Sequence, residues 1–376
     1  MSASAEGRPP ERADCVVVGS GPGGAVAAWT LQDAGLETVV LEEGAELPLE
    51  ATRPFSSDEM RRKYRCGGVF PFYSSFRVAA VEGRVVGGGS EVNSALYHRA
   101  PAAVLEEWRA ARGRDLPGEA QLRPFFEACE QAVGLASLPG PASRASLALL
   151  EGARRTGADC RETPRLYSYS GGSGPGGVPR GERRSMSRTL LPRFRAAGGR
   201  LFAGCRVTRL ERLAGGWRVH GRGGSGGDFA VDARRVVLAG GAVQTPALLL
   251  RSGIGPAEGF PLRCHLLVKA AAQFPDEVNF EGMGVPVHQV LDAAGGVAMG
   301  CSVSSPAHLA LTLVDHPDAL GRLERDWRRM AVYYATLTPE RPASVTLWPG
   351  LRDPVVRLPL GRGDAEGLAR GLRGLA

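Results

Sequence analysis

Lysine is almost absent from this sequence. Only two of its 46 basic residues are lysines, Lys63 and Lys269, and the rest are arginines scattered along the chain. No basic run is interleaved with aromatic residues, so the net charge of +7 reflects a compositional bias towards arginine. We therefore predict no nucleic-acid partner.

Long apolar runs and paired cysteines are missing too. No uninterrupted stretch reaches about 18 apolar residues, the length that a transmembrane helix needs. The seven cysteines are odd in number and widely spaced, with no C-x-x-C, a pattern typical of reduced thiols in a reducing compartment. Residues 1–14 carry charges of both signs, unlike a signal peptide. We expect a cytoplasmic protein with no metal site and no membrane span.

The hexapeptide GSGPGG occurs twice, at Gly19–Gly24 and again at Gly172–Gly177. A β-branched run precedes the first copy and an alanine-rich stretch follows it, so strand, glycine turn and helix are predicted in the order of a dinucleotide site. In this interpretation Gly19 makes the turn, Gly21 admits a pyrophosphate and Gly24 lets the helix approach the strand. Glu42 ends the next apolar strand, where a carboxylate is expected to bind ribose.

The second copy stands in a Gly- and Pro-rich stretch with no helix after it, and we predict a loop there. Ser225 lies in a G-x-S-x-G pattern, but both flanks are typical of strands and not of a nucleophile elbow. We therefore predict that Ser225 is a loop residue. Farther along, the apolar run at 235–238 ends in glycines and precedes a helix-like stretch, a second strand–glycine–helix element. Short strand-like runs follow, at 266–268, 330–335 and 344–348, and they predict an antiparallel sheet.

Three separated segments together resemble the glucose–methanol–choline (GMC) family of FAD-dependent oxidoreductases. They are VVVGSGPGGAVAA, GRVVGGGSEVNSALYHR and GAVQTPALLLRSGIG. The similarity is greatest to the branch that acts on long-chain alcohols and sterols. It implies an α/β fold (α+β overall), with a Rossmann-like FAD-binding domain and a second, antiparallel-sheet domain for the substrate. The implied reaction takes hydride from the carbinol carbon of an apolar small-molecule alcohol to flavin N5.

The resemblance also assigns cofactor-binding residues. Those expected to contact FAD are Gly19, Ser20, Gly21, Gly24, Glu42, Gly87, Gly88, Gly89, Ser90, Asn93, Val207, Ala239, Gly240 and Gly241. We divide the chain into a discontinuous FAD-binding domain at 12–100 and 190–258, a helical and loop insertion at 101–189, and a substrate-binding domain at 259–376 that we expect to be incomplete.

The catalytic histidine that the family carries near its C-terminal end has no counterpart here, because the last histidine is His316. His98 and His265 are weak candidates for the base. A partner chain that supplies the missing segment is one possibility. A flavin-binding protein without turnover, or another flavoenzyme with two dinucleotide folds, are alternatives.

Overall fold

The structure, a computed structural model, describes residues 7–53, 56–74, 78–112, 116–224, 226–291 and 297–376. Ser225, predicted to be a loop residue, lies outside the described residues. The strands are β1 Arg12–Val18, β2 Thr38–Leu41, β3 Phe70–Phe72, β4 Val78–Ala80, β5 Leu135–Ala136, β6 Cys160–Glu162, β7 Arg165–Ser173, β8 Pro179–Arg183, β9 Arg200–Phe202, β10 Arg206–Leu213, β11 Gly216–Arg222, β12 Asp228–Leu238, β13 Phe260–Leu262, β14 Leu266–Gln273, β15 His288–Leu291, β16 Val297–Cys301, β17 Met330–Leu337, β18 Ala343–Thr346 and β19 Val355–Arg357. The α-helices are α1 Pro22–Asp33, α2 Ser57–Lys63, α3 Ala102–Arg112, α4 Glu119–Val133, α5 Arg144–Thr156, α6 Leu190–Ala196, α7 Gly241–Arg251, α8 Pro306–Thr312, α9 Pro317–Gly321, α10 Leu323–Asp326 and α11 Arg362–Leu375.

The chain forms two compact units, and each is assembled from three separate segments. Unit 1 comprises Met1–Asn93, Arg184–Leu262 and Arg341–Pro359, and unit 2 comprises Ser94–Arg183, Arg263–Glu340 and Leu360–Ala376. Most of the predicted insertion, residues 101–183, lies in unit 2 together with residues 263–340 and 360–376 of the predicted substrate-binding domain. Residues 341–359 of the predicted substrate-binding domain lie in unit 1 instead.

Unit 1 is organised by a six-stranded sheet in the order β10-β11-β12-β1-β2-β9. Strands β12, β1, β2 and β9 run parallel, whereas β10 and β11 pair antiparallel. The central strand β1 is almost wholly buried because its run Cys15–Val18 is apolar at every position, as expected of a strand covered on both faces. A smaller sheet, β13-β18-β19, belongs to the same unit.

Unit 2 contains a five-stranded antiparallel sheet in the order β14-β17-β16-β15-β6. A three-stranded sheet, β5-β7-β8, lies in the same unit. One face of the larger sheet packs against α5, where Tyr333 Oη donates to the carbonyl oxygen of Ala145 at 2.8 Å. The predicted fold class, a Rossmann-like domain with a second domain built on an antiparallel sheet, is confirmed.

Three local expectations need correction. The second GSGPGG copy is not a simple loop, because it occupies the end of β7 and the tip of the β7–β8 hairpin. The run near 344–348 forms β18, but it pairs with β13 and β19 and not with the sheet of β14 and β17. The spacing of Leu122, Phe125, Phe126, Cys129 and Val133 predicts a core stripe on one face of α4, but Phe125 is 68% exposed.

Candidate functional site

The turn between β1 and α1 requires glycine at two positions. Gly19 has a φ of +98°, and a side chain there would collide with the carbonyl group of Ala239. A Cβ atom on Gly24 would overlap the carbonyl oxygen of Gly19, so only glycine lets α1 start this close to β1. The first N–H groups of α1 therefore face the space beyond the carboxyl end of the sheet, where a helix N-terminus binds anions.

Ser20 and Glu42 form a buried hydrogen-bonded pair beneath this turn. The backbone N–H and the hydroxyl of Ser20 donate to Glu42 Oε2 at 2.9 and 2.7 Å, and Gly44 N donates to Oε1 at 2.8 Å. Burial raises the pKa of Glu42, and these three hydrogen bonds oppose that shift. Ser20 Oγ also accepts from Gly87 N at 3.0 Å, which ties the first glycine motif to the second.

A cavity of about 770 Å³ opens above these residues, entirely within unit 1. Of the residues predicted to contact FAD, those that line it are Gly19, Gly21, Glu42, Gly88, Gly89, Val207, Ala239, Gly240 and Gly241. Those that do not line it are Ser20, Gly24, Gly87, Ser90 and Asn93. Ser90 instead donates to Gly87 O at 2.7 Å and accepts from Met186 N at 3.0 Å, so it holds the second motif in place.

At three glycines on the cavity wall, a side chain would not collide with any other part of the protein. A Cβ atom on Gly23 or Gly89 would have no heavy atom within 4 Å, and one on Gly21 would meet only Gly88 Cα, at 3.9 Å. None of the three has a positive φ. The volume that their missing side chains leave free belongs to the cavity, and a pyrophosphate lying against the backbone fits there.

Several charged cavity residues were not identified from the sequence. Arg65 is buried, and its guanidinium lies 2.8 Å from Glu43 Oε2, 3.0 Å from Glu82 Oε2 and 3.0 Å from Asp353 Oδ1. Burial works against the ionised Glu43, but its hydrogen bond to Arg65 and the nearby guanidinium charges hold its pKa below the ordinary value. Glu43 is the next residue after Glu42, the predicted ribose carboxylate, and this position could have identified it from the sequence. Arg65 lies in no recognisable motif, so the sequence pattern does not identify it.

Arg206 and Arg251 add two more guanidinium groups to the cavity wall. Each places Nη2 3.0 Å from the same acceptor, the carbonyl oxygen of Arg352. Burial lowers the pKa of both, and the charge of Arg206 lowers that of Arg251 further. Arg206 directly precedes Val207, whose backbone is expected to meet adenine. Arg206 Nε also lies 3.9 Å from Glu43 Oε1, so the carboxylate balances part of the positive charge at this end of the cavity.

The two candidate catalytic histidines lie in unit 2 and not on the cavity wall. His98 is exposed, with Nε2 2.7 Å from Gln289 Oε1. His265 is exposed just before β14. Among the described residues that line the cavity there is no histidine.

The second GSGPGG copy lacks the features that make the first a nucleotide site. The hairpin tip contains only a three-residue 3-10 helix, Pro175–Gly177. The strands on either side of it, β7 and β8, pair antiparallel, whereas the strand before the first copy belongs to a parallel sheet. A side chain on Gly176 would collide with the ring of Phe280. Within the described parts of the chain, no helix could cross a membrane and no cluster of three or more His, Cys, Asp or Glu side chains could hold a metal ion.

Comparison with known proteins agrees with this geometry. The profile of the GMC oxidoreductase family matches residues 22–301. The chain is 33% identical over 359 residues to the uncharacterized GMC-type oxidoreductase y4nJ of Sinorhizobium fredii, covering 94% of this chain and 71% of that protein. It is 31% identical over 293 residues to the long-chain-alcohol oxidase FAO3 of Arabidopsis thaliana, covering 72% of this chain but only 39% of the oxidase.

The fold is similar to that of solved flavoenzymes. Pyridoxine 4-oxidase from Mesorbium loti superposes with a TM-score of 0.72 and 20% identity, over 96% of this chain and 79% of that one. A formate oxidase of Aspergillus oryzae superposes with a TM-score of 0.67 and 13% identity, over 97% of this chain and 79% of that one. The sequence similarity predicted this family, and the prediction is confirmed. The chain belongs to the GMC oxidoreductases, a family of FAD-dependent enzymes, and FAD is its cofactor.

Proposed function

We propose that this chain binds FAD in the unit 1 cavity and serves the oxidation of a CH–OH group, in an alcohol with a long apolar chain or a sterol-like body. The observation that carries the proposal is the meeting of two glycine motifs on one cavity wall. Gly21 and Gly23 from the first motif and Gly89 from the second all leave free volume there. The similarity to long-chain-alcohol oxidases supports the choice of substrate.

The residues on the cavity wall have separate roles in this proposal. The N–H groups at the start of α1 hold the pyrophosphate, and Glu42 Oε1, which accepts one hydrogen bond within the protein, has capacity left for a ribose hydroxyl. The guanidinium groups of Arg206 and Arg251 would lie at the end of the cavity that holds the adenosine part, where their N–H groups can donate to its neutral acceptors. When bound in this cavity, FAD would supply the redox chemistry, as the acceptor of the hydride from the carbinol carbon.

The hydroxyl proton of the alcohol must pass to a base as the carbonyl group forms. Histidine is the usual base, and the described residues on the cavity wall include none. We therefore propose that the base does not come from the cavity wall of unit 1 and that a partner chain supplies it. The same observation supports the alternative that residues 1–376 bind flavin without turning over an alcohol.

Two measurements test the proposal. Denaturing the purified, FAD-reconstituted protein should release FAD at about one equivalent per chain, and a nicotinamide chromophore without flavin would contradict the cofactor assignment. Anaerobic mixing with long-chain alcohols or sterols should leave the flavin absorbance unchanged for residues 1–376 alone. The absorbance should fall when a C-terminal segment from a longer relative is supplied.

A fall in flavin absorbance without any added segment would show that the base lies within residues 1–376. His98→Asn and His265→Asn would then identify it, because only the variant that lacks the base should slow the reaction, by about 10²–10⁴-fold. No fall even with an added segment, while FAD stays bound, would favour flavin binding without turnover.

We also propose that unit 2 contacts the substrate and that the protein is cytoplasmic. The location is supported by the seven cysteines, which are all free thiols, as is usual in a reducing compartment. Cell fractionation with an antibody to the chain tests it, and recovery from a membrane or extracellular fraction would contradict it.

A further inference from the structure

A second pocket lies in unit 1, on the small sheet β13-β18-β19. It has a volume of about 410 Å³, and none of its lining residues lines the FAD cavity. Its polar walls are Tyr73, Ser344 and Arg357, and its apolar walls include Pro342 and Pro359. All of these residues belong to unit 1. We call this space the sheet pocket.

Register brings the three polar residues side by side. Ser344 on β18 is the direct partner of Arg357 on β19, and Tyr73 forms a bridge with Arg357 on its other side. The backbone N–H of Tyr73 donates to Val356 O at 2.8 Å, and Leu358 N donates to Tyr73 O at 2.8 Å. These two bonds hold Tyr73 beside Arg357. Side chains paired across neighbouring strands point to the same face of a sheet, with Cβ atoms roughly 5 Å apart.

The face that carries these residues is turned away from the core. On the opposite face of the same strands, Val345 and Val356 are fully buried. Ser344 is half-buried and Arg357 is exposed. The three polar side chains therefore converge on the sheet pocket, which all of them line.

An aromatic side chain holds the guanidinium of Arg357 in place. Trp348, in the loop between β18 and β19, has its ring centroid 5.1 Å from the guanidinium carbon of Arg357. The ring centroids of Tyr73 and Trp348 are 6.0 Å apart, with the rings tilted by 30°. Tyr73 and Trp348 are 51% and 42% exposed, so both rings keep open surface for a ligand. A guanidinium already held over an indole loses little freedom when it binds an anion.

The polar groups of the sheet pocket have unused hydrogen-bonding capacity. Within the described residues, the Arg357 side chain has no ion pair and no hydrogen bond, and the hydroxyls of Tyr73 and Ser344 have no hydrogen-bond partner. Arg222, another exposed arginine of unit 1, is instead paired with Asp228 at 3.0 Å. The sheet pocket thus offers one positive charge and two hydroxyl groups to a single small space.

We propose that the sheet pocket binds a small organic acid, with its carboxylate on Arg357 and its flat apolar part against Tyr73, Trp348 and the pocket prolines. A guanidinium matches a carboxylate both in charge and in its two parallel N–H donors. The hydroxyls of Tyr73 and Ser344 can donate to the remaining lone pairs. The inference goes beyond the proposed function and does not depend on it, because the sheet pocket shares no residue with the FAD cavity.

The test compares 2-naphthoate with its neutral counterpart of nearly equal shape, 2-naphthamide, by calorimetric titration of the FAD-loaded protein. Bound FAD keeps both probes out of the larger cavity. The wild type should bind 2-naphthoate about tenfold or more tightly, the size expected for hydrogen bonds to a charged group. Arg357→Met should abolish this preference. Arg357→Lys keeps the charge but not the two parallel donors, so it should retain part of the preference.

The control and a second readout place the binding at the sheet pocket. Arg222→Met removes an exposed arginine of the same unit and should keep the full preference for 2-naphthoate. In NMR spectra of the wild type, the indole N–H signal of Trp348, identified by its loss in Trp348→Phe, should shift when 2-naphthoate is added.

Equal affinity of the wild type for the acid and the amide, or no binding of either, would overturn the proposal. So would a preference that survives in Arg357→Met, one lost equally in Arg222→Met, or an indole signal of Trp348 that stays in place. Flavin content and melting temperature should match the wild type in every variant. If Arg357→Met lowers the melting temperature, Arg357→Lys and the indole signal still decide the question.

Discussion

Gly21 and Gly88 face each other so closely that a Cβ atom on Gly88 would lie 2.8 Å from Gly21 Cα. The two residues come from glycine motifs far apart in the sequence, and both line the cavity of unit 1. Gly88 also has a φ of +55°, so both its backbone conformation and its close contact require glycine. Neither constraint applies to Gly21, and the absence of a side chain there leaves space for a ligand.

Replacing Gly21 by valine should abolish FAD retention while the fold survives, because the side chain would occupy the volume where the pyrophosphate meets the backbone. Flavin released per chain on denaturation measures this. Gly174→Val, at the equivalent place in the second GSGPGG copy, is the control and should keep nearly all the flavin. Gly174 has a φ of −85°, and its nearest neighbours include the flexible side chain of Arg180. Equal losses in the two variants would show that the hairpin tip also serves the cofactor.

Removing the hydroxyl of Ser20 should lower the free energy of unfolding by about 1–3 kcal/mol, since it leaves the buried N–H of Gly87 without its acceptor. Glu42 would lose a donor as well, so its pKa should rise further above the ordinary value. Urea denaturation of Ser20→Ala measures the loss. Ser168→Ala, at an exposed position of β7, should have the stability of the wild type. A neutral effect of Ser20→Ala would mean that the link between the two motifs contributes nothing to stability.

Arg206→Met should weaken FAD binding by about 1.5–3 kcal/mol but leave the affinity for FMN unchanged, because FMN lacks the adenosine part that this end of the cavity is expected to hold. Flavin fluorescence titration of the apoprotein gives both affinities. Arg209→Met, on the same strand but with its guanidinium bound to Glu211, is the control and should bind both flavins normally. Equal weakening for FAD and FMN would place the effect of Arg206 away from adenine.

Acid should destabilise unit 1 through Glu43. Its pKa in the folded protein is held below the ordinary value of 4.5, so the folded state binds fewer protons than the unfolded chain does. The contribution of Glu43 is therefore fully present above about pH 4.5 and is lost as the pH falls through the lowered pKa. Denaturation curves between pH 7 and 3 should show the wild type converging towards Glu43→Gln. A stability difference that stays constant over this range would contradict this.

Much of the first glycine motif could be predicted because its geometry is local. Gly19, Gly24 and the helix that follows lie within one short segment, and their conformations are set by neighbours in the chain. The contact of Arg65 with Asp353 could not be predicted, since it joins residues 288 positions apart. The same holds for the two guanidinium groups that meet at the carbonyl oxygen of Arg352.

Strand partners and exposure were also beyond the sequence pattern. Alternation identifies a strand near residue 345 but does not say which sheet it joins, and the structure pairs it with β13 and β19. Helical periodicity placed Phe125 on an apolar face of α4, yet an apolar face is buried only where another element packs on it. The sequence pattern also does not connect residues that register brings side by side on five strands of unit 2, namely Arg161, Gln289, Gly300, Tyr334 and Lys269.

The division of each unit into three segments has a consequence for the order in which the protein can fold during synthesis. The backbone N–H of Tyr73 donates to Val356 O on β19, and Arg65 forms an ion pair with Asp353. These contacts can form only after residues near position 355 have been synthesised. A nascent chain that has reached residue 340 therefore contains all six strands of the large sheet of unit 1, but β13 still lacks its partners β18 and β19, and Arg65 lacks one of its carboxylates. Contacts so distant in sequence form slowly. Unit 1 can therefore complete its fold only after β19, which ends at Arg357, has been synthesised.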